Sequence, residues 1–249
     1  MSFEQELMGR TYIVTGASRG IGRATAIKLA AKGAGLVLTG RDVSAGQSVV
    51  AEIAALGQTA RFVVADQGSD RDWVRLMDET LSAFGRVDGL VANAGIAVPA
   101  PIAHLDLEGF RHTNQVNLKG CFLGLKHVTQ ALRQHGEGGS IVLISSIIGK
   151  VGAPAHAHYA AAKGGVRLMA KAAALELGPE KIRVNSVHPG MVKTQMTAGF
   201  DEAMVAPAIP LKRFGLPQEI AETCLFLVSD RSKFMTGAEM VVDGGWIAQ

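Results

Sequence analysis

Short, mainly apolar runs recur between longer mixed stretches along the whole of this 249-residue chain. That alternation constrains the fold more than any other feature. Apolar runs lie at 12–14, 36–39, 61–64, 89–91, 140–144, 183–187 and 239–242. Between them, helical stretches are expected over 20–32, 44–56, 70–84, 107–135, 159–177 and 217–229. A strand that is apolar throughout, rather than alternating, is buried on both faces, as in parallel sheets whose crossover helices cover both sides. The pattern therefore predicts an α/β chain with a doubly wound, mostly parallel seven-stranded sheet and helices on both faces. No linker, low-complexity segment or fixed-period repeat interrupts it, so residues 1–249 are expected to form a single domain. One irregular stretch, 193–215, holds Pro207 and Pro210. It reads either as a flexible flap or as an ordinary surface loop.

With 48% hydrophobic and 19% charged residues, the chain can bury a large core, which excludes wholesale disorder. A net charge of +3 with no basic run argues against a nucleic-acid partner. Cys121 and Cys224 are too few for a disulfide framework or a cysteine zinc site, and read as small buried hydrophobes. Residues 1–10 include Glu4 and Glu6 and lack the apolar core of a secretory signal. No stretch approaches the roughly 18 uncharged apolar residues of a membrane helix. A soluble, cytoplasmic protein with no membrane partner is expected.

The first strand runs into Thr15-Gly16-Ala17-Ser18-Arg19-Gly20-Ile21-Gly22. Glycines in a strand-to-helix turn let a phosphate approach the backbone, and the helix N-terminus adds free N–H groups and a favourable dipole. The turn is thus a candidate nucleotide site. The second strand ends at Gly40, followed by Arg41 and Asp42. An acidic residue at that end would serve the adenosine ribose hydroxyls of NAD(H); arginine suits a 2′-phosphate. Arg41, with Arg19 as a second positive charge, favours NADP(H) over NAD(H). Asp42 swinging in to serve NAD(H) stays open as the alternative.

Tyr159 and Lys163 stand four apart on one helical face, thirteen residues beyond Ser146 at the end of a buried strand. An ammonium near a phenol favours the phenolate, which suits the pair to proton transfer. At this point the chain resembles the short-chain dehydrogenase/reductase family over residues 8–249. Thr15–Gly22 matches its T-G-x-x-x-G-x-G, and Asn93-Ala94-Gly95 its N-A-G, although Ala92 stands where a second asparagine is common. Asn117 matches the family's helix asparagine, Ser146 its serine, and Tyr159 and Lys163 its Y-x-x-x-K pair. Pro189-Gly190 with Thr194 matches the loop against the nicotinamide, and 241–245 the usual C-terminal strand.

The resemblance implies a Rossmann-type oxidoreductase. Tyr159 would give or take the proton at a carbonyl or alcohol oxygen, and Ser146 would hold that oxygen. Lys163 would bind the nicotinamide ribose, and Asn117 would anchor a water linking Lys163 to solvent. Gly16, Ser18, Arg19, Gly20, Ile21, Gly22, Arg41, Asp66, Asn93, Ala94, Gly95, Pro189, Gly190, Val192 and Thr194 would join Tyr159 and Lys163 around the cofactor. Relatives build the substrate pocket from positions that are here Ile147, Ile148, Val151, Ala153, Pro154, Met191, Val192, Met196 and Met204. That set is apolar, so a small-molecule hydrophobic secondary alcohol or ketone is expected. The alternatives are a 3-oxoacyl-thioester reductase, an NAD-dependent alcohol dehydrogenase, and a nucleotide-sensing binding protein without chemistry.

No role falls to His156, His158 or His188, which read as packing or pocket-lining residues. No metal is expected in the chemistry, although the ending Trp246-Ile247-Ala248-Gln249 is similar to relatives that hold a structural magnesium. The resemblance also implies a homotetramer built on the helices at 107–135 and 159–177. Gly164, Gly165 and Ala172–Ala174 would let those helices approach.

Overall fold

Local signals set the helix ends. Asp42, Ser69 and Asp106 each turn a side-chain oxygen onto a backbone N–H of the first helical turn, at Ala45, Asp72 and Gly109. Gly85 and Gly136, at φ +72° and +70°, end two helices in the left-handed conformation that glycine adopts without strain. The computed structural model describes residues 5–248. Gln249, the terminal glutamine of the magnesium comparison, and Glu4 lie outside the described residues.

Seven strands form one sheet: β1 (Thr11–Thr15), β2 (Gly35–Gly40), β3 (Ala60–Val64), β4 (Gly89–Ala92), β5 (Gly139–Ile144), β6 (Ile182–Pro189) and β7 (Glu239–Val242). Their order is β3-β2-β1-β4-β5-β6-β7, and every neighbouring pair is parallel. Successive strand residues point to opposite faces, so Ile13 enters one core while Tyr12 and Val14 enter the other. The first core packs the sheet against α3 (Asp70–Phe84), α5 (Gly120–His135) and α6 (Ala157–Leu177). The second packs it against α1 (Gly20–Ala30), α2 (Val43–Ala55) and α8 (Pro217–Val228). Both faces are thus covered, as the continuous apolar strands require.

Four boundaries depart from the sequence reading by two residues or more, the first being α1, which ends at Ala30 rather than 32. The expected helix over 107–135 is α4 (Leu107–Asn114), then a π turn at Gln115–Lys119, then α5. A π turn inserts one residue into a helix without breaking it, so the apolar pattern runs on across it. α6 begins two residues early, at Ala157. β6 continues to Pro189 because β7 pairs with it through His188↔Val241 and Pro189↔Val242. The stretch 193–215 closes on itself where Val192 bridges Gly215. It contains the short α7 (Glu202–Val205).

Cys121 and Cys224 are both buried and free, as expected. Among the described residues no helix is long and apolar enough to cross a membrane. No group of three His, Cys, Asp or Glu side chains there is arranged to hold a metal.

Candidate active site

The chain direction across the sheet reverses between β1 and β4, and a crevice opens at the carboxyl ends of strands on either side of such a point. A cleft of about 610 Å³ lies there. Its floor is the glycine turn. Gly16 has φ +63°, and a Cβ on it would stand 2.8 Å from Ala94 Cα. A Cβ on Gly22 would stand 2.3 Å from the Gly16 carbonyl oxygen. Neither position tolerates a side chain. Gly22 is not in the cleft wall; it lets α1 press against the turn. Arg19 precedes α1 without capping it, and no acid occupies the first turn, so its N–H groups face the cleft with a favourable dipole. The Asn93-Ala94-Gly95 segment closes the other side. Thr15 Oγ1 accepts from the N–H groups of Asn93 (3.0 Å) and Ala94 (2.9 Å), and Asn93 Nδ2 donates to the Thr15 carbonyl at 2.9 Å.

Gly16, Ser18, Arg19, Gly20, Ile21, Arg41, Asp66, Asn93, Ala94, Gly95, Pro189, Gly190, Val192 and Thr194 all line the cleft. At its exposed end Arg19 bridges Asp42 at 2.7 Å and donates to Gln195 Oε1. Asp42 also caps α2 at the Ala45 N–H, 3.1 Å away, so its carboxylate is doubly engaged. Arg41 has no ion pair among the described residues. A Cβ on Gly40 would make only ordinary contacts, 3.6 Å from Phe62 and 3.7 Å from Ser18 Oγ. These residues fit a dinucleotide: a cradle without side chains, an uncapped helix end, and an unpaired guanidinium at the rim.

At the inner end the groups are buried. Tyr159 and Ser146 are each 8% exposed, Lys163 3% and Asn117 0%. Tyr159, Ser146 and Lys163 share the cleft wall. Lys163 Nζ lies 5.8 Å from the Tyr159 ring centre and donates to the Ile144 carbonyl at 2.8 Å. Ser146 Oγ accepts from the Ile148 N–H at 3.1 Å, which leaves the hydroxyl proton to donate elsewhere. Asn117, on the π turn, holds Ile96 from both sides, accepting from its N–H and donating to its carbonyl, each at 2.8 Å. A Cβ on Gly95 would stand 3.1 Å from Asn117 Oδ1 and 3.5 Å from Lys163 Nζ, so both side chains converge on that glycine.

Several expected substrate residues lie elsewhere. Ile147, Ile148, Val151, Ala153, Pro154, Met191 and Met204 do not line the cleft, whereas Met196 and Val192 do. After Ser146 the chain coils into a tight turn at Ile147–Gly149. That turn packs directly on α6: a Cβ on Gly149 would stand 2.8 Å from the Lys163 carbonyl. Ile147 is thereby buried and Val151 turned to solvent. Met204 sits on α7 and is 79% exposed. The apolar lining comes instead from Ile96, Ala97, Val98, Val116 and Met196. The three residues after the N-A-G motif were the signal that could have found most of them.

None of the three histidines lines the cleft. His156 Nδ1 lies 2.7 Å from the Pro154 carbonyl, and its ring stands edge-on to Tyr159. His158 Nε2 pairs with the Val98 carbonyl at 2.9 Å. His188 does more than pack. It is fully buried, with Nδ1 3.1 Å from the Ser146 carbonyl and Nε2 2.9 Å from Ser186 Oγ. It therefore braces the backbone that carries Ser146. Burial pushes its imidazole below the usual range, against the bond to Ser146. Gly165 opens space for Leu118 of the same chain, and Ala173 and Ala174 enter the chain's own core.

A family profile described as Enoyl-(Acyl carrier protein) reductase matches residues 16–247. The chain is 43% identical to an NADP-dependent (R)-specific alcohol dehydrogenase of Lentilactobacillus kefiri, over 98% of each chain. It is 39% identical to a cyclopentanol dehydrogenase of a Comamonas species, over 96% of this chain and 97% of that one. Its fold matches a crystal structure of a short-chain type dehydrogenase/reductase from Mycobacterium marinum with a TM-score of 0.96 and 34% identity. That match covers 99% of this chain and 98% of the other.

Proposed function

The chain belongs to the short-chain dehydrogenase/reductase family, and on that premise we propose that it interconverts a hydrophobic secondary alcohol and its ketone with NADP(H). It is an oxidoreductase acting on CH–OH and C=O groups. The observation that carries the proposal is the buried set of Ser146, Tyr159 and Lys163 on one wall of a cleft whose floor suits a dinucleotide.

A nicotinamide bound in that cleft would supply the hydride for reduction and take it up in oxidation. The chain's own residues handle the oxygen. Tyr159 gives its phenolic proton to the carbonyl oxygen during reduction and takes it back from the alcohol during oxidation. Ser146 donates its hydroxyl proton to the same oxygen; the Ile148 N–H, bound at Oγ, fixes that orientation. The Lys163 ammonium has three N–H donors. One goes to the Ile144 carbonyl; the others serve the cofactor ribose and the field at Tyr159. Asn117 belongs to the path that returns the proton to solvent.

Two features support NADP(H) over NAD(H): Arg41 at the rim, without an ion pair among the described residues, and the double engagement of Asp42. The relative from L. kefiri carries NADP in its name. The apolar lining of Ile96, Ala97, Val98, Val116 and Met196 supports a hydrophobic substrate. The exposed Phe110, Phe122, Leu168 and Leu175 on α4, α5 and α6 support a homotetramer. Light scattering on a sizing column tests that assembly.

The test of function follows nicotinamide absorbance with NADPH and NADH separately, against cyclic ketones, aryl-alkyl ketones and a 3-oxoacyl thioester. The expected result is NADPH oxidation with a hydrophobic ketone. Turnover of the thioester alone, or of NADH alone, overturns the corresponding half of the proposal. Cofactor binding with silence on every carbonyl favours a nucleotide-sensing protein.

A further inference from the structure

Gln67 lies just beyond β3, 7% exposed, and takes no part in the mechanism above. Its side chain is fully engaged. Nε2 donates to the Ala94 carbonyl at 2.6 Å and to the Val116 carbonyl at 2.8 Å, while Oε1 accepts from Thr15 Oγ1 at 3.2 Å. Its own carbonyl accepts from the Trp73 indole at 2.9 Å. One amide therefore ties together the end of β1, the N-A-G loop and the π turn.

The bond to Val116 answers a specific need. Within the π turn the ladder runs from i to i−5, and its last bond goes from the Gly120 N–H to the Gln115 carbonyl. A return of the ladder to i−4 at Cys121, onto the Asn117 carbonyl, would leave the Val116 carbonyl without a ladder donor. A buried carbonyl without a donor is costly, and Gln67 supplies the donor. Two glycines make the contact possible. A Cβ on Gly120 would stand 2.6 Å from Gln67 Cγ, and one on Gly68 would stand 2.9 Å from Gln115 Cγ. The extra residue admitted by the π turn sets the direction of Asn117, which follows Val116.

We propose that Gln67 is a positioning residue for proton transfer: by capping the Val116 carbonyl it holds the π turn that aims Asn117 at Ile96 beside Lys163. The inference rests on the reading of Asn117 as part of the proton path. Without the Gln67 donor, relaxation of the turn toward regular α-helix rotates Asn117 by roughly 100° about the helix axis, one residue's worth. Asn117 then leaves Ile96.

The test is a double-mutant cycle on Gln67→Met and Asn117→Ala in the full-length enzyme, with a ketone it reduces. Methionine keeps the volume of glutamine and cannot donate. Asn117→Ala is expected to lower kcat on the order of 100-fold, as loss of a proton-transfer partner does. Gln67→Met is expected to lower kcat about 10-fold or more and to raise the solvent isotope effect on kcat; because the same amide also holds the Ala94 carbonyl in the cleft wall, the KM for NADPH is read separately and is not the criterion. Combined, they should be no worse than Asn117→Ala alone, because they break one path. A double variant whose losses multiply, or a Gln67→Met enzyme with unchanged kcat and isotope effect, overturns the proposal while the Asn117 reading stands. An Asn117→Ala enzyme with full kcat overturns that reading, and this proposal with it. Should Gln67→Met fail to fold, Gly120→Ala presses on the same contact from α5. It is expected to reproduce the kcat and isotope changes, and normal values there overturn the proposal equally.

Discussion

The two ends of the cleft are built on different physics. At the exposed rim, Arg19 and Asp42 have side chains 52% and 44% exposed. Exposed ion pairs contribute about 0–1 kcal/mol. At the inner end, Asn117, Lys163, Tyr159 and Ser146 are buried, and the first two are tied to backbone atoms of Ile96 and Ile144. Breaking one such bond strands a buried polar group at about 1–3 kcal/mol. On the proposed reading, cofactor choice rests on side chains that can change at little structural cost, and the chemistry on side chains that are also part of the core.

Four experiments break or sharpen that contrast. The largest effect is expected from Tyr159→Phe, which removes only the phenolic oxygen. Turnover should fall on the order of 1,000-fold or more, while NADPH still binds, as fluorescence titration would report. Near-normal turnover would separate the buried end from the chemistry altogether.

Next comes the rim. Gly40→Asp places a carboxylate where the Cβ has room, beside Arg41. The ratio of kcat/KM for NADPH over NADH should fall by about 10- to 100-fold, the scale of one charge-assisted contact to a phosphate. The melting midpoint should stay within a degree or two. A large loss of stability would show that the rim is as structural as the interior.

A smaller effect concerns His188. Its folded-state pKa lies below that of an unfolded histidine, about 6.5. The unfolded chain thus takes up the proton first. The contribution of His188 is complete above about pH 6.5 and declines as pH falls from there. Lys150 and Arg167, which disfavour a second positive charge, act with burial; Glu239 opposes them. Denaturant unfolding between pH 7 and pH 5 should show stability declining, and His188→Asn should flatten that slope. An unchanged slope would mean that the brace on Ser146 is insensitive to protonation.

The smallest effect is expected at Arg213 and Glu219, an exposed pair that joins 193–215 to the start of α8. The Arg213 guanidinium and the Leu216 N–H hold the Glu219 carboxyl down to about 2. Its contribution is present above the ordinary carboxylate range and is lost as pH falls toward 2. Arg213→Ala should cost about 1 kcal/mol or less in thermal unfolding. A greater loss would place this exposed contact with the buried ones.

Much of this was legible beforehand. Each expected strand is present within two residues: inner strands such as β1 and β4 are buried throughout, while β3 and β7 at the sheet edges are only partly buried yet still carry apolar runs. The glycine turn and the Tyr159–Lys163 pair were readable because their geometry is local: a tight turn, or two residues on one helical face. The substrate side was not readable in the same way. Ile147 and Met196 are equally apolar. Only the tight turn at 147–149 and its close packing on α6 decide that the first is core and the second faces the cleft.

The order of elements, the doubly wound class and the composition of the nucleotide turn follow from the sequence by itself, since periodicity and turn chemistry act over a few residues. Tertiary structure alone decided the π turn under Asn117, the brace of His188 on Ser146, and the engagement of Asp42 with Arg19. The physical reason is range. Gln67 meets the Val116 carbonyl across 49 positions, and His188 meets Ser146 across 42. No local pattern records which distant donor will satisfy a buried carbonyl until the sheet has brought the two together.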